Sequence, residues 1–375
     1  MNKWLFKIHR WAALIAVLPL VVICTTGSAV VFKYELDNVL DTRRVTVPVQ
    51  EAGRLGIDEL VARVDAELPS HEVVGWQWFD NPSRADIVYV VAHGTSDWQY
   101  LTVDPYSGQR LAPVAPLNAS LSDWLLDLHY TLLMGDWGML LSGGIGMLLC
   151  ISGVSGLILH RKFWTTLPKI RWHSRRVVTF SDLHKVSGAF AAPALLILGF
   201  TGAWWNIEHG TLEIREHWSG EAHPLVNGSQ YNKQLSISSL VAMAESQVAG
   251  FEATYLRLPW EPGVPIALFG RVPTSNPLAS DYSTHVTFDA QSGDVLSASD
   301  IRTSGFLMGF EDSFRELHFG TFAGMPSRLL WFAAGLIPLA LSFTGLWLWW
   351  YRRQKVRAVA QKRALMTGKQ ALRVS

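Results

Sequence analysis

Histidines are the residues of this sequence whose type and spacing could support chemistry. Of the 12 histidines, five lie near the ends of long uncharged stretches, namely His9, His129, His160, His184 and His318. A single histidine at such a place is typical of a polar side chain that reaches to water at a membrane surface. Several at matched places favour metal ligation instead, because two imidazoles that face each other across a helix bundle can hold the iron of a b-type haem.

Zinc is the competing interpretation of paired histidines. A zinc site would need a third or fourth protein ligand nearby, and the uncharged stretches offer no suitably placed Cys, Asp or Glu. The two cysteines, Cys24 and Cys150, both lie inside such stretches, and the sequence has no Cys-x-x-Cys-His motif for covalent haem attachment. The pattern therefore favours non-covalent haem.

The histidines lie near four stretches that lack Asp, Glu, Lys and Arg, at residues 11–32, 137–159, 186–207 and 329–351. Each stretch is long enough to cross a hydrocarbon core of about 30 Å as a helix. The composition agrees, since 49% of the residues are hydrophobic and only 17% are charged. The sequence predicts a membrane protein with four transmembrane helices, the first of them retained and not cleaved as a signal peptide.

The basic residues predict how the helices are oriented. Segments 1–10, 161–185 and 352–375 hold 18 of the 32 Lys and Arg residues and a single acid, Asp182. Because Lys and Arg concentrate on the cytoplasmic side, both termini and the middle loop are predicted to be cytoplasmic in a bacterial inner membrane. The remainder has 14 Lys and Arg against 30 Asp and Glu, a net charge of −16, and is predicted to be periplasmic.

An internal repeat relates the two halves of the chain. Without gaps, residues 9–27 align with 184–202 at a shift of 175, and residues 128–157 align with 317–346 at a shift of 189. The sequence thus predicts two parallel repeats, each made of a helix, a periplasmic α+β module and a second helix. The modules are predicted to contain helices at 57–68 and 237–248, with strands at 72–79, 85–92, 98–104, 253–258, 265–270 and 282–289.

The repeat divides the chain into eight predicted segments. They are the N-terminus with helix 1 (1–35), module 1 (36–127), helix 2 (128–160), a basic cytoplasmic loop (161–185), helix 3 (186–207), module 2 (208–316), helix 4 (317–351) and a basic cytoplasmic tail (352–375). The tail is also predicted to contact lipid headgroups.

Distance along the helices separates the histidines into two sites. His129 and His160 are 31 residues apart. That separation is about 46 Å in a continuous helix, more than the hydrocarbon thickness. By the repeat, His129 and His318 are predicted to ligate an outer haem. The inner haem is predicted to take two of the three histidines His9, His160 and His184. Symmetry favours the first and last of these.

Four Ser/Thr-Gly pairs accompany the histidines: Thr26-Gly27, Ser155-Gly156, Thr201-Gly202 and Thr344-Gly345. The first and third pairs are predicted at the level of the outer histidines, and the other two at the level of the inner ones. Their glycines would leave room for a flat ring. Close helix packing through small residues, as in Ser152-x-x-x-Gly156, is the alternative, and both interpretations are compatible.

Five segments around the histidines carry a resemblance to a known family. They are Ile8-His9-Arg10-Trp11, Leu128-His129-Tyr130, Leu159-His160-Arg161-Lys162, Asp182-Leu183-His184 and Leu317-His318-Phe319-Gly320. These segments resemble the PepSY-associated transmembrane family, and the two soluble modules resemble PepSY domains. The resemblance covers nearly the whole chain, with specific motifs in the helices and loose ones in the modules.

The resemblance implies a function. The family includes FoxB-like inner-membrane reductases, which bind two b-type haems and reduce ferric siderophores in the periplasm. It implies ligand candidacy for all five histidines and an oxidoreductase activity that releases Fe(II), which oxygen ligands hold more weakly. The electron donor is left open among quinol, a flavin and a cytoplasmic reductase, and no nucleic-acid partner is expected.

Two other classes compete with a reductase. One is a PepSY-type membrane binding or regulatory protein without redox activity, whose histidines are merely interfacial. The other is a transporter, which is disfavoured because no charged residue lies inside the stretches. For a reductase, the net charge of −16 predicts a neutral or cationic acceptor, unless a local basic patch overrides it.

Overall fold

The computed structural model of the chain describes residues 3–161, 169–219 and 224–374. Residues 162–168 of the predicted basic loop and 220–223 of the second predicted module lie outside the described residues, as do 1–2 and 375. The chain divides into two compact units. The first unit comprises Met1–Ser28, Leu128–Gly210 and Leu329–Ser375, and the second comprises Ala29–Asp127 and Thr211–Arg328.

Helices and strands alternate in blocks along the described residues. The helices are α1 (Lys3–Val30), α2 (Lys33–Leu40), α3 (Thr42–Val45), α4 (Ile57–Glu67), α5 (Leu121–Tyr130), α6 (Gly135–Leu159), α7 (Arg176–Ser219), α8 (Ile237–Gln247), α9 (Phe306–Phe319) and α10 (Met325–Val374). The strands are β1 (His71–Gln77), β2 (Asp86–Ala92), β3 (Trp98–Val103), β4 (Ala115–Pro116), β5 (Glu252–Arg257), β6 (Ile266–Arg271), β7 (Thr284–Phe288) and β8 (Val295–Ser299). The module helices and six strands predicted from the sequence are confirmed, and β4 and β8 are additional.

The first unit contains helices that are long and apolar enough to cross a membrane. They comprise Lys3–Val30, Gly135–Leu159, Arg176–Arg215 and Met325–Gln361, which contain nearly all of the four predicted stretches. Helices α6 and α7 approach closely through glycine. A Cβ on Gly146 would lie 2.8 Å from the carbonyl oxygen of Gly199, and a Cβ on Gly199 would lie 3.0 Å from that of Gly146. Helices α6 and α7 therefore pack through small residues at this contact.

The second and fourth apolar helices begin later than the sequence predicted. After α5 the chain turns through Leu132 and Leu133, whose φ angles of 52° and 60° are incompatible with a right-handed helix. After α9 it turns at Gly320, a left-handed C-cap with a φ of 72°. The continuous helix considered between residues 129 and 160 is thus not formed. His129 and His318 instead lie in the last turns of separate preceding helices.

The second unit is built on one eight-stranded sheet in the order β4-β3-β2-β1-β5-β6-β7-β8. All neighbouring strands are antiparallel, and the pair β1–β5 joins the two sets of four strands. The buried core contains apolar residues of α4 and α8 with alternate residues of the strands, among them Leu60, Leu240 and Leu256. This is the α+β organisation predicted for the modules, in a single sheet.

Gly-closed turns follow β3 and β7. Gly108 and Gly293 have φ angles of 69° and 78°, a region that favours glycine. In each turn the leading aspartate accepts a backbone hydrogen bond two residues later, Asp104 from Tyr106 and Asp289 from Gln291, both at 2.8 Å. These turns fix the register of the strands that follow.

A buried carboxylate, Asp86, anchors the sheet of the second unit. It accepts two hydrogen bonds of 2.6 Å from Arg54 and one of 2.9 Å from the Trp76 indole, and it has no exposed surface. We expect Asp86→Ala to lower the free energy of unfolding by about 3–5 kcal/mol, because it leaves both donors without their acceptor. Thermal unfolding of the purified chain in detergent measures this.

A matched control for Asp86→Ala is Asp80→Ala. Asp80 also pairs with an arginine, Arg271, but its side chain is 66% exposed, so the expected loss is about 0–1 kcal/mol. Equal losses for the two variants would contradict the anchoring role of Asp86.

Candidate functional site

The structure brings His9 of α1 and His184 of α7 together inside the first unit. Their ring centres are 6.3 Å apart and the ring planes are nearly perpendicular, at 86°. Metal–imidazole bonds are about 2.0–2.1 Å long and each nitrogen lies about 1.1 Å from its ring centre, so two rings on opposite sides of one metal ion have centres about 6.4 Å apart. At this separation the two imidazoles could hold one metal ion between them.

Hydrogen bonds fix which nitrogen of His9 carries the proton. Its Nδ1 lies 3.0 Å from the carbonyl oxygen of Ser152 and 3.1 Å from the hydroxyl of Ser155, both on α6. A carbonyl oxygen can only accept, so in the neutral ring Nδ1 is the donor and Nε2 keeps its lone pair. Nε2 forms no hydrogen bond with any residue that the structure describes. It is the nitrogen that can ligate a metal.

His184 is held in the same way by α10. Its Nδ1 lies 3.0 Å from the Thr344 hydroxyl. The Thr344 hydroxyl donates its own proton to the carbonyl of Ala340 at 2.7 Å, so it accepts from the imidazole. Both members of the pair thus present Nε2 as the ligand atom.

His129, in the last turn of α5, repeats the arrangement against α1. Its Nδ1 lies 2.8 Å from the carbonyl oxygen of Ile23. The acceptor again requires the proton on Nδ1 in the neutral ring. His129 therefore has the same tautomer as His9 and His184. These contacts do not define a second histidine that would pair with it.

Glycines make room for these three imidazoles. A Cβ on Gly27 would lie 2.5 Å from Cε1 of His129, and Cβ atoms on Gly156 and Gly345 would lie 3.2 Å from Cε1 of His9 and His184. The space beside the three glycines is thus filled by imidazole. The sequence predicts that these glycines leave room for a flat ring, and in the structure the ring that lies against them is the histidine imidazole itself.

The glycine and the accepting carbonyl stand in a fixed register. The acceptors Ile23 and Ser152 precede their matching glycines, Gly27 and Gly156, by four residues. A helix carbonyl already accepts a hydrogen bond from the amide four residues later, so its second lone pair is the one that accepts from the imidazole N–H. Because that later residue is glycine, no Cβ prevents the ring from approaching the carbonyl. Sequence reasoning found the glycines but missed these acceptors. The spacing of four from each glycine is the signal that identifies them.

The hydroxyl before each glycine is also fixed. Each donates to the carbonyl four residues earlier within its own helix: Thr26 at 2.8 Å, Ser155 at 2.6 Å, Thr201 at 2.8 Å and Thr344 at 2.7 Å. This back-bonding directs the oxygen lone pairs outward from the helix. At two of the four positions the histidine Nδ1 uses that oxygen.

The remaining two candidates have different surroundings. His160 is the C-cap residue of α6 and is half-buried, and His318 lies in the last turn of α9 in the second unit, with its ring centre 6.0 Å from that of Phe319. Within the described ranges no three His, Cys, Asp or Glu side chains form a group that could hold a metal ion. The pairing of His318 with His129 stays a prediction from the sequence repeat.

The chain resembles known proteins over most of its length. A Pseudomonas aeruginosa protein, called Uncharacterized protein PA4219, is 26% identical over 251 residues, which cover 62% of this chain and 64% of that protein. The chain thus matches slightly less than two thirds of the length of this relative. Residues 6–352 match the family model described as the PepSY-associated TM region. Four apolar helices and a match of this extent identify a multi-pass membrane protein, and the chain belongs to the PepSY-associated transmembrane family.

Proposed function

We propose that the protein is a di-haem b-type reductase of the bacterial inner membrane, which passes electrons to a ferric siderophore in the periplasm. The observation that carries the proposal is the pair His9 and His184. Their ring separation of 6.3 Å and their Nδ1 hydrogen bonds are what two axial ligands of one haem iron require. An interfacial histidine that merely reaches to water would need neither.

His9 and His184 are the ligands that we assign to the inner haem. Both rings are mostly enclosed by apolar helices and both are anchored through Nδ1. His160 follows the last turn of α6 and has no counterpart in the second repeat, where Trp349 stands. We therefore assign His160 a supporting role near the inner site and no bond to iron.

For the outer haem we keep His129 and His318 as ligands. The fixed tautomer of His129 and the glycine beside it support the first assignment. The assignment of His318 rests on the sequence repeat alone, in which it is the counterpart of His129. Bound haems supply one-electron transfer, while the chain supplies ligands of fixed tautomer and an apolar environment that excludes water.

The first prediction concerns haem content. We expect about two non-covalent haems per chain, removable with acid acetone, because the chain offers two pairs of ligand candidates and no covalent attachment motif. A pyridine haemochrome assay on purified protein, expressed with ample haem supply, measures the ratio. A ratio near zero would instead favour a membrane binding or regulatory protein without redox activity.

The second prediction separates the three inner histidines. We expect His9→Ala and His184→Ala each to reduce the haem content from about two to about one per chain, because each removes an axial ligand. His160→Ala is the matched comparison, and it should retain both haems with a small change in the low-spin spectrum. Loss of a haem in His160→Ala, with both haems retained in His9→Ala, would overturn the assignment.

The third prediction tests the glycine positions. Gly27→Ala should weaken outer-haem affinity by about 10–100-fold, because the added Cβ displaces His129. Gly156→Ala and Gly345→Ala should have milder effects on the inner haem, since their contacts of 3.2 Å need only small shifts. Haem retention and electron paramagnetic resonance of the ferric protein report both effects.

The control for the glycine series is Gly144→Ala. Gly144 lies on the same helix as Gly156, and a Cβ there would meet no atom within 4 Å. It should leave both haem signals unchanged. If Gly27→Ala behaves like Gly144→Ala, the glycine beside His129 has no role in placing the imidazole.

A further inference from the structure

Arg84, Arg257 and Arg315 of the second unit lack a carboxylate partner among the residues that the structure describes. The side chains of Arg84, Arg257 and Arg315 form no ion pair and no hydrogen bond with any residue that the structure describes. The Nε atom of Arg257 is buried without a partner. By contrast, Arg54 and Arg302 each bind a carboxylate within 2.6 Å. Unpaired, partly buried guanidinium groups are unfavourable unless a ligand or an aromatic ring stabilises them.

Aromatic rings hold these guanidinium groups in place. The guanidinium carbon of Arg84 lies 3.4 Å from the ring centre of Phe79 and 4.3 Å from that of Tyr34. For Arg257 the distances are 5.4 Å to Phe269 and 5.9 Å to Trp260. For Arg315 they are 4.3 Å to Tyr282 and 5.1 Å to Phe319. A guanidinium that stacks on a ring still has N–H donors at its edge. The three arginines are therefore positioned without being neutralised.

A cluster of tyrosines lies among the three arginines. The ring of Tyr255 has its centre 6.1 Å from those of both Tyr89 and Tyr282. Gly75 of β1 makes room for the cluster, because a Cβ there would lie 2.5 Å from the Tyr255 hydroxyl. Burial raises the pKa of Tyr89 to about 12 and also raises those of Tyr255 and Tyr282. The hydroxyls are thus neutral donors at physiological pH.

Ring contacts place two of the arginines beside this cluster. Arg315 lies 4.3 Å from the ring centre of Tyr282, and Arg257 lies 5.4 Å from that of Phe269, whose centre is 6.1 Å from that of Tyr255. Against the larger effect of burial, Arg84 and Arg315 act to lower the pKa of both Tyr89 and Tyr282, and Arg257 acts to lower that of Tyr255. Arg257 also lowers the pKa of His285, second to the larger effect of burial on that imidazole. The cluster and its arginines are half-buried, so this face of the sheet remains accessible.

Among the described residues, the acids near this face form no ion pair with the three arginines: Glu35 and Asp37 couple electrostatically to Arg84 but pair with Arg328 and Lys33. Asp281 and Glu316 couple electrostatically to Arg315, yet neither forms an ion pair with it. Burial raises the pKa of both carboxyls. Asp281 lies 3.9 Å from a different arginine, Arg271, which binds Asp80 and Glu252 more closely.

We propose that this aromatic and arginine face of the sheet binds an organic anion with flat aromatic arms, of the class of anionic ferric chelates with catecholate oxygens. The N–H edge of a guanidinium matches the paired anionic oxygens of a catecholate. The tyrosine rings, which are T-shaped and tilted relative to one another, offer faces and edges for contact with the planar catecholate ring. The identification of the anion as the acceptor chelate rests on the proposed function, whereas anion binding itself does not. The site is the local basic patch that overrides the neutral or cationic acceptor expected from the net charge of −16.

The experiment uses a redox-inert probe, so that binding is measured without electron transfer. We expect the full chain in detergent to bind the anionic gallium tris-catecholate complex about tenfold more tightly than the neutral gallium tris-hydroxamate complex, by isothermal titration calorimetry at low ionic strength. Arg257→Gln and Arg315→Gln should each weaken catecholate binding by about tenfold, since each removes a charge-assisted hydrogen bond. Arg63→Gln is the control, because Arg63 pairs with Glu59 on α4.

Several outcomes would overturn the proposal. Equal affinity for the two gallium complexes is one, and Arg257→Gln and Arg315→Gln behaving like the control is another. Competition by inorganic phosphate at concentrations as low as those of the catecholate would indicate a general anion site and also overturn the assigned ligand class. If a glutamine variant fails to fold, Arg257→Lys and Arg315→Lys test the site instead. Lysine keeps the positive charge but lacks the planar guanidinium that binds two oxygens at once. Normal gallium binding without haem would disprove the reductase while leaving the anion site intact.

Discussion

One hydrogen bond, made three times, is the constraint on which the first unit depends. An imidazole Nδ1–H placed among apolar helices must find an acceptor, because a buried donor without one is destabilising by about 1–3 kcal/mol. The acceptor is the second lone pair of a helix carbonyl at Ser152 for His9 and at Ile23 for His129, and it is the Thr344 hydroxyl for His184. Glycine one turn after the carbonyl lets the ring approach, since a Cβ there would lie 2.5–3.2 Å from Cε1 of the imidazole. The tautomers of the three imidazoles follow from these contacts.

Much of this arrangement was predictable from the sequence. The repeat located His9 and His184 at matched places, and helix length put Gly27 at the level of His129, which is where the structure has it. The reason for the glycines was not predictable, since a glycine that makes room for a cofactor and one that makes room for an imidazole look the same in sequence. Gly146 and Gly199 show a third use, direct contact between two helices.

The breaks before α6 and α10 were missed for a different reason. Hydropathy marks where charge is absent, and it does not register a turn such as Leu132-Leu133, which has apolar residues at positive φ. As a result the outer histidines were assigned to the apolar helices themselves. They lie instead on α5 and α9, short helices that end in a tight turn. The orientation of His129 is therefore set by α5 and by its contact with α1, independently of the tilt of α6.

The charge of the second unit shows why net charge is a weak guide to a binding site. Its many acids act over about a Debye length, roughly 8 Å at physiological salt, and beyond that distance they affect the rate of approach more than the strength of contact. Most of its arginines are paired with those acids, as Arg54 is with Asp86 and Arg302 with Asp300. Arg257 and Arg315 are stacked on aromatic rings instead, which keeps their charge available within contact distance. The net charge counts arginines that are paired with acids and arginines that are not, whereas an anionic ligand binds the arginines that have no carboxylate partner. The placement of aromatic rings beside arginine therefore determines which charge such a face presents.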